Sequence, residues 1–165
     1  MKTKLAFFAL ATFSFLFSFA QIKLEDLKVD TSITNFHFTA DFQGTKVFTK
    51  NGPRDLNTMN PTAFSFTIAP GMSGATAKEQ LDQLLKMSEQ NGYRISDLQK
   101  KDTLIKGNKV YFIRYTETDA KINYRNLVFN AFVIKNDTLI LFVSGDLDNG
   151  QYIDKFIKTF YNIKL

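Results

Sequence analysis

The chain has 165 residues, 44% of them hydrophobic and 22% charged, ordinary values for a globular protein that argue against disorder. It contains no Cys, no Trp and one His, and carries a formal net charge of +5. These absences exclude disulfide frameworks, thiol nucleophiles, cysteine-ligated zinc or iron–sulfur centres and any multi-histidine constellation.

Lys2 and Lys4 precede an uncharged run from Leu5 to Ala20 that includes six Phe. Ser18-Phe19-Ala20 then places small residues on the near side of a cut before Gln21. A positive start, an apolar stretch and a small-x-small end form a secretory signal. The run is 16 residues long, short of the roughly 20 needed to span a bilayer, and no Cys follows it to take a lipid anchor. Residues 1–20 are therefore expected to be a signal peptide and 21–165 a single domain, periplasmic or secreted, without a stable membrane anchor. The absence of thiols fits an oxidising compartment. Removing Lys2 and Lys4 lowers the net charge to +3, and the remaining bases are scattered. A nucleic-acid binder would gather them into one patch beside stacking aromatics, so none is expected.

Thr34 to Phe42 alternates, with Phe36, Phe38, Ala40 and Phe42 on one side and Asn35, His37, Thr39 and Asp41 on the other. This is the period of a half-buried strand. Gly44 breaks it, and Lys46–Thr49 reads as a short partner strand. Asn51 to Pro61 is rich in turn residues and reads as a long loop. Ala63–Ile68 returns to strand alternation, ended by Pro70-Gly71. A helix follows: Thr76 and Glu79 have capping-box spacing, Ala77, Leu81, Leu84 and Leu85 share a stripe, Met87 extends its edge and Ser88 closes it. Asn91-Gly92 supplies the stop. Four strands are then expected in series: Tyr93–Leu98, Lys109–Thr118 after the Lys106-Gly107-Asn108 turn, Asn123–Lys135, and Thr138–Ser144 after a tight Asn136-Asp137 connection. Leu139 to Val143 is apolar throughout, so both faces of that strand must be covered. Tyr152, Ile153, Phe156, Ile157, Phe160 and Tyr161 repeat at helical spacing, with Asp148 or Asn149 as the expected cap. The fold class is α+β: a central antiparallel meander, one helix between the N-terminal strands and the meander, and a closing C-terminal helix.

Val143-Ser144-Gly145-Asp146, a short loop, and then Tyr152, Phe156 and Phe160 at four-residue intervals resemble the end of PsbP-like domains, the superfamily that includes the Mog-type and the bacterial periplasmic DcrB-like proteins. The resemblance covers about residues 30–165 and implies an α/β/α sandwich with accessory or binding roles. It carries no functional residue motif onto this chain.

Gly71-Met72-Ser73-Gly74-Ala75 approaches a nucleophile elbow, but Ala75 stands where the second Gly is needed. Asp146 to Gly150 approaches a calcium loop without the ligands that an EF-hand requires. His37 and Asp41 lie too far apart along one strand to pair. The pairs Glu25-Asp26 and Glu117/Asp119 lie in polar surroundings and read as solvated charges. No catalytic residue, metal site or cofactor is expected. Two binding modes are open. An envelope protein partner would be met by the Asn51–Pro61 loop through Arg54, Asp55 and Asn57. A small apolar ligand would sit between sheet and helix, with Tyr111, Tyr115 and Arg114 as the few polar anchors in an aromatic lining.

Overall fold

The computed structural model describes residues 27–58, 60–105, 107–135 and 138–164; the expected signal segment and the Asn136-Asp137 connection lie outside them. Its strands are β1 (His37–Phe42), β2 (Thr45–Thr49), β3 (Ala63–Ala69), β4 (Arg94–Ile105), β5 (Asn108–Asp119), β6 (Tyr124–Lys135) and β7 (Thr138–Asp146). Helix α1 (Gly74–Gln90) joins β3 to β4, and α2 (Ile153–Tyr161) follows β7. All seven strands form one sheet in the order β1-β2-β3-β7-β6-β5-β4, antiparallel at every step. The chain thus builds two antiparallel units, β1–β3 and β4–β7, and splices them where β3 pairs with β7 from Ala63↔Gly145 to Ala69↔Leu139.

The two helices lie on opposite faces. α2 packs the aromatic face, where Phe36, Phe48, Phe64, Phe66, Phe129 and Phe142 meet Tyr152, Phe156 and Phe160. α1 lays Ala77, Leu81 and Leu85 on Tyr111, Ile113, Tyr115, Val128, Phe132, Leu139 and Leu141. The continuous apolar run of β7 is thereby covered twice, with Ile140 and Phe142 under α2 and Leu139 and Leu141 under α1. Each fully buried side chain of this kind contributes about 1.5–3 kcal/mol.

Local chemistry moved several boundaries. The cap of α1 is Ser73, not Thr76: its Oγ accepts the Thr76 amide at 3.1 Å, and the helix starts at Gly74. The cap of α2 is neither Asp148 nor Asn149. Asp146, wholly buried at the end of β7, accepts the amides of Tyr152 at 2.6 Å and Ile153 at 2.8 Å on one oxygen, and that of Asp148 at 2.9 Å on the other. The intervening turn requires Gly150, whose φ is +86° and where a Cβ would stand 3.1 Å from Leu127. Strand β4 runs seven residues past Leu98 because Lys100 to Ile105 pair in register with β5, from Lys100↔Ile113 to Ile105↔Asn108. In β1 a bulge at Thr39 breaks the expected alternation. Thr39 turns inward to share a hydrogen bond with Thr49 Oγ1 at 2.8 Å, while Phe38 and Phe42 are 49% and 44% exposed. Phe36 is buried just ahead of the strand.

Asp146→Ala should lower the unfolding free energy by about 3 kcal/mol, the scale of losing hydrogen bonds to a charged acceptor while leaving buried amides unpaired. Denaturant titration checks this, and Asp148→Ala, which changes no cap, should stay within about 0.5 kcal/mol.

Candidate functional site

Three regions hold the residues singled out by the sequence, and the structure does not bring them together. Tyr111 and Arg114 stand three residues apart on β5 and on opposite faces of the sheet. Tyr111 is buried under α1 with Lys78 Nζ 4.8 Å from the centre of its ring, and burial together with Asp82 and Asp102 pushes its hydroxyl up to about 12. Lys78 in turn pairs with Asp102 at 2.5 Å, and Asp82 with Lys100 at 2.6 Å, so β4 is tied to α1 directly over this tyrosine. Arg114 points to the α2 side, where Asp154 lies 3.8 Å away. A single pocket anchored by Tyr111, Tyr115 and Arg114 is therefore not formed; Tyr115, without the other two, lines the cleft under the C-terminal half of α1.

The Asn51–Pro61 segment contains a 3-10 helix over Gly52–Asn57. Gly52 lies against β1 at φ +62°, and a Cβ there would stand 3.0 Å from that of His37. Arg54 and Asn57 are exposed, whereas Asp55 is buried and turned into its own loop. Its carboxylate accepts the backbone amide of Asn51 at 3.0 Å and the Asn51 side-chain amide at 3.0 Å. Burial raises its pKa, but those bonds from Asn51 and one from Thr49 outweigh it and hold the carboxyl below its ordinary value. Asp55 thus shapes the loop, and Arg54 and Asn57 are the side chains it presents. His37 is exposed on β1. Ser73 is occupied as the α1 cap.

The third region was not expected. Under the C-terminal half of α1, Leu84, Met87, Ser88 and Tyr93 face Tyr115, Glu117, Tyr124, Asn126, Val128 and Val143 across a cleft of about 90 Å³. Glu117, read from sequence as a solvated charge, is 5% exposed. It is buried because β5 alternates: Tyr111, Ile113, Tyr115 and Glu117 share one face, and that face lies under α1. The period-two pattern held this signal, and Ser88 at the end of the helical stripe was its partner. Ser88 Oγ donates to Glu117 Oε1. On Oε2, Asn126 Nδ2 donates at 3.0 Å and the Tyr124 hydroxyl at 3.3 Å. The Tyr93 and Tyr124 rings stack at 4.9 Å.

Two features of this cleft are unbalanced. The ion pairs among the described residues are Lys78–Asp102, Lys100–Asp82 and Arg114–Asp154, and none reaches Glu117. Asn126 is wholly buried, and its Oδ1 has no hydrogen-bond partner. A carboxylate out of water without a counter-charge, beside an amide oxygen without a donor, is costly. Burial, and then the Glu117 charge, raises the pKa of Tyr115, of Tyr124 and of Tyr93. The floor of the cleft is also irregular: the β6–β7 ladder lapses between Val128↔Gly145 and Ala131↔Phe142, and Asn130 Oδ1 takes the Ser144 amide at 3.1 Å instead.

The raised tyrosines fix a pH dependence. Their neutral form is favoured in the folded state, so the stability they contribute is complete below the unfolded value of 10.0 and is lost as pH climbs above it. Urea midpoints should therefore be flat up to about pH 9.5 and fall beyond pH 10, and Tyr115→Phe with Tyr124→Phe should flatten that decline.

No protein-family model matches the chain, and a search of curated proteins finds no match. Among solved structures the chain is similar to the crystal structure of a protein of unknown function, PA94 from Pseudomonas aeruginosa, described as a regulator candidate. The identity is 10% and the TM-score 0.48, over 76% of this chain and 85% of that one.

Proposed function

We propose that this protein is an exported, non-catalytic accessory protein of the bacterial envelope that works by holding a polypeptide partner along strand β1. The observation that supports this reading is the contrast between the two edges of the sheet. An edge strand offers unpaired backbone groups to any passing strand, and proteins guard such edges with charge and irregularity. Edge β4 is guarded: it carries Arg94, Asp97, Lys100, Lys101 and Asp102, and a bulge between Ser96 and Gln99 with Asp97 at φ +56°. Edge β1 has no Lys or Arg and exposes Phe38 and Phe42. Beside it the Gly52–Asn57 turn exposes Leu56, Arg54 and Asn57. An extended peptide adding to β1 would gain main-chain hydrogen bonds from the strand and side-chain contacts from the two phenylalanines. The cleft beneath the C-terminal half of α1 is well below the roughly 300–1,000 Å³ of ligand pockets, whereas an open hollow of about 560 Å³ beside the N-terminal end of α1, lined by Lys78, Asp102, Leu104, Lys109 and Ile134, is of ligand size.

A second reading, capture of a small ligand, is favoured by one observation, the unbalanced Glu117–Asn126 cleft. It replaces the expected apolar ligand with a polar one, because the groups left unsatisfied there are acceptors.

Photo-crosslinking in intact cells separates the edges. A reactive side chain at position 38 or 42 should give a discrete protein adduct that the same group at position 101 does not, and Arg54→Ala with Asn57→Ala should weaken it. Equal adducts from both edges would sink the reading. Export has its own check: protein isolated from the host should have a mass that begins at Gln21, and retention of residues 1–20 would remove the envelope from the proposal.

A further inference from the structure

We infer that the cleft beneath the C-terminal half of α1 is a recognition site for a primary alkylammonium group, either the tip of a lysine side chain or a small free amine. The inference rests on the second reading above, that the cleft takes a ligand, and names its chemistry.

Hydrogen-bond capacity points first. The Glu117 carboxylate has about four acceptor positions, of which Ser88, Tyr124 and Asn126 fill three. Asn126 Oδ1, buried in the lining, accepts nothing. What remains open at the polar end of the cleft is therefore acceptor capacity, which a ligand rich in donors satisfies and an anion or a carbonyl does not. Charge points the same way, since Glu117 is 5% exposed and lies outside every ion pair among the described residues. A bound cation would supply the counter-charge that those ion pairs do not. The walls fit the rest of the ligand: Tyr93 and Tyr124 present aromatic rings, which attract cations, and Leu84, Met87 and Val128 accept methylenes.

Size narrows the class. About 90 Å³ is the share of some three water molecules. That encloses an ammonium with a short alkyl chain and is too small to enclose a nucleotide or a sugar. A guanidinium is planar and broader, and a quaternary ammonium has no N–H to give to Asn126 Oδ1, so the primary ammonium satisfies both unbalanced groups together.

The test is a titration of the mature chain with propylammonium and with 1-propanol at constant ionic strength, following Ser88, Glu117 and Asn126 by two-dimensional amide NMR. The two probes have the same shape and differ in charge. Saturable shifts with propylammonium, at least tenfold weaker with 1-propanol, are expected, and Glu117→Gln should remove the preference. Leu84→Phe, which fills the cleft and leaves the Glu117 hydrogen bonds in place, should abolish binding, and it carries the test if Glu117→Gln does not fold. Equal affinity for both probes would overturn the ammonium assignment and leave a ligand-binding cleft standing. No saturable shift with either would overturn both. Nα-acetyl-lysine-N-methylamide and ethanolammonium then separate the sources: tighter binding of the first assigns the site to a partner's lysine, of the second to a free amine.

Discussion

Everything in this fold hangs on one strand pairing. β3 belongs to the N-terminal hairpin unit and β7 closes the C-terminal meander, yet they are neighbours over seven residue pairs from Ala63↔Gly145 to Ala69↔Leu139. Backbone hydrogen bonds alone would leave that seam open to slippage, because any register satisfies them. The aromatic packing above it removes the freedom. Phe64 is stacked with Phe48 at 5.0 Å and with Phe142 at 5.8 Å, and meets Phe156 of α2 edge-on at 5.5 Å. Side chains on one face repeat every second residue, so a slip by one position would carry Phe64 and Phe66 to the other side and break every one of these contacts.

The seam also decides what each face of the sheet can do. On the α2 side the cover is short and close, held at its start by Asp146, and the packing beneath it is aromatic. On the α1 side a single helix must travel from β3, near the centre, to β4 at the far edge, passing over β7, β6 and β5. Its apolar stripe, Ala77, Leu81 and Leu85, runs out before its last turn does. Polar residues collect beneath that turn: Glu117, Asn126, Asn130 and Ser144 are all buried there or beside it. Burying charge is tolerated in a fold when something is gained from it. The cleft exists where the crossover geometry leaves the sheet incompletely sealed by apolar side chains.

The two edges show the same division of labour in another form. The salt bridges Lys78–Asp102 and Asp82–Lys100 are partly exposed and worth little individually. Their placement matters more than their strength, because they fix β4 to the helix above it and leave charge along its free side. β1 carries one charge, Asp41, and is flanked near His37 and Phe38 by Gly52 of the loop. Its bulge serves packing, sending Thr39 inward to Thr49 while Phe38, edge-on to Phe48, and Phe42 stay partly exposed.

Order, type and covering of the elements were legible in the residues themselves. Period-two alternation, the Leu81-Leu84-Leu85 stripe and the aromatic repeat from Tyr152 to Tyr161 are local patterns. An apolar run such as Leu139–Val143 can be buried only by covering it twice, so one helix on each face followed. Contacts between distant residues were not legible in that way. Nothing near Asp146 marks it as the cap of α2 in preference to Asp148, since the choice depends on where β7 ends relative to the helix. The alternation placed Glu117 beside Tyr115 on one face of β5, but only the path of α1 made that face an interior one. Likewise Phe38 and Phe42 read as core from their spacing and lie at the surface, because β1 took the outermost position in the sheet. Sequence periodicity fixes which side chains share a face. Whether that face meets water, a helix or a partner is settled by strand order, which arises from pairings between residues far apart in the chain.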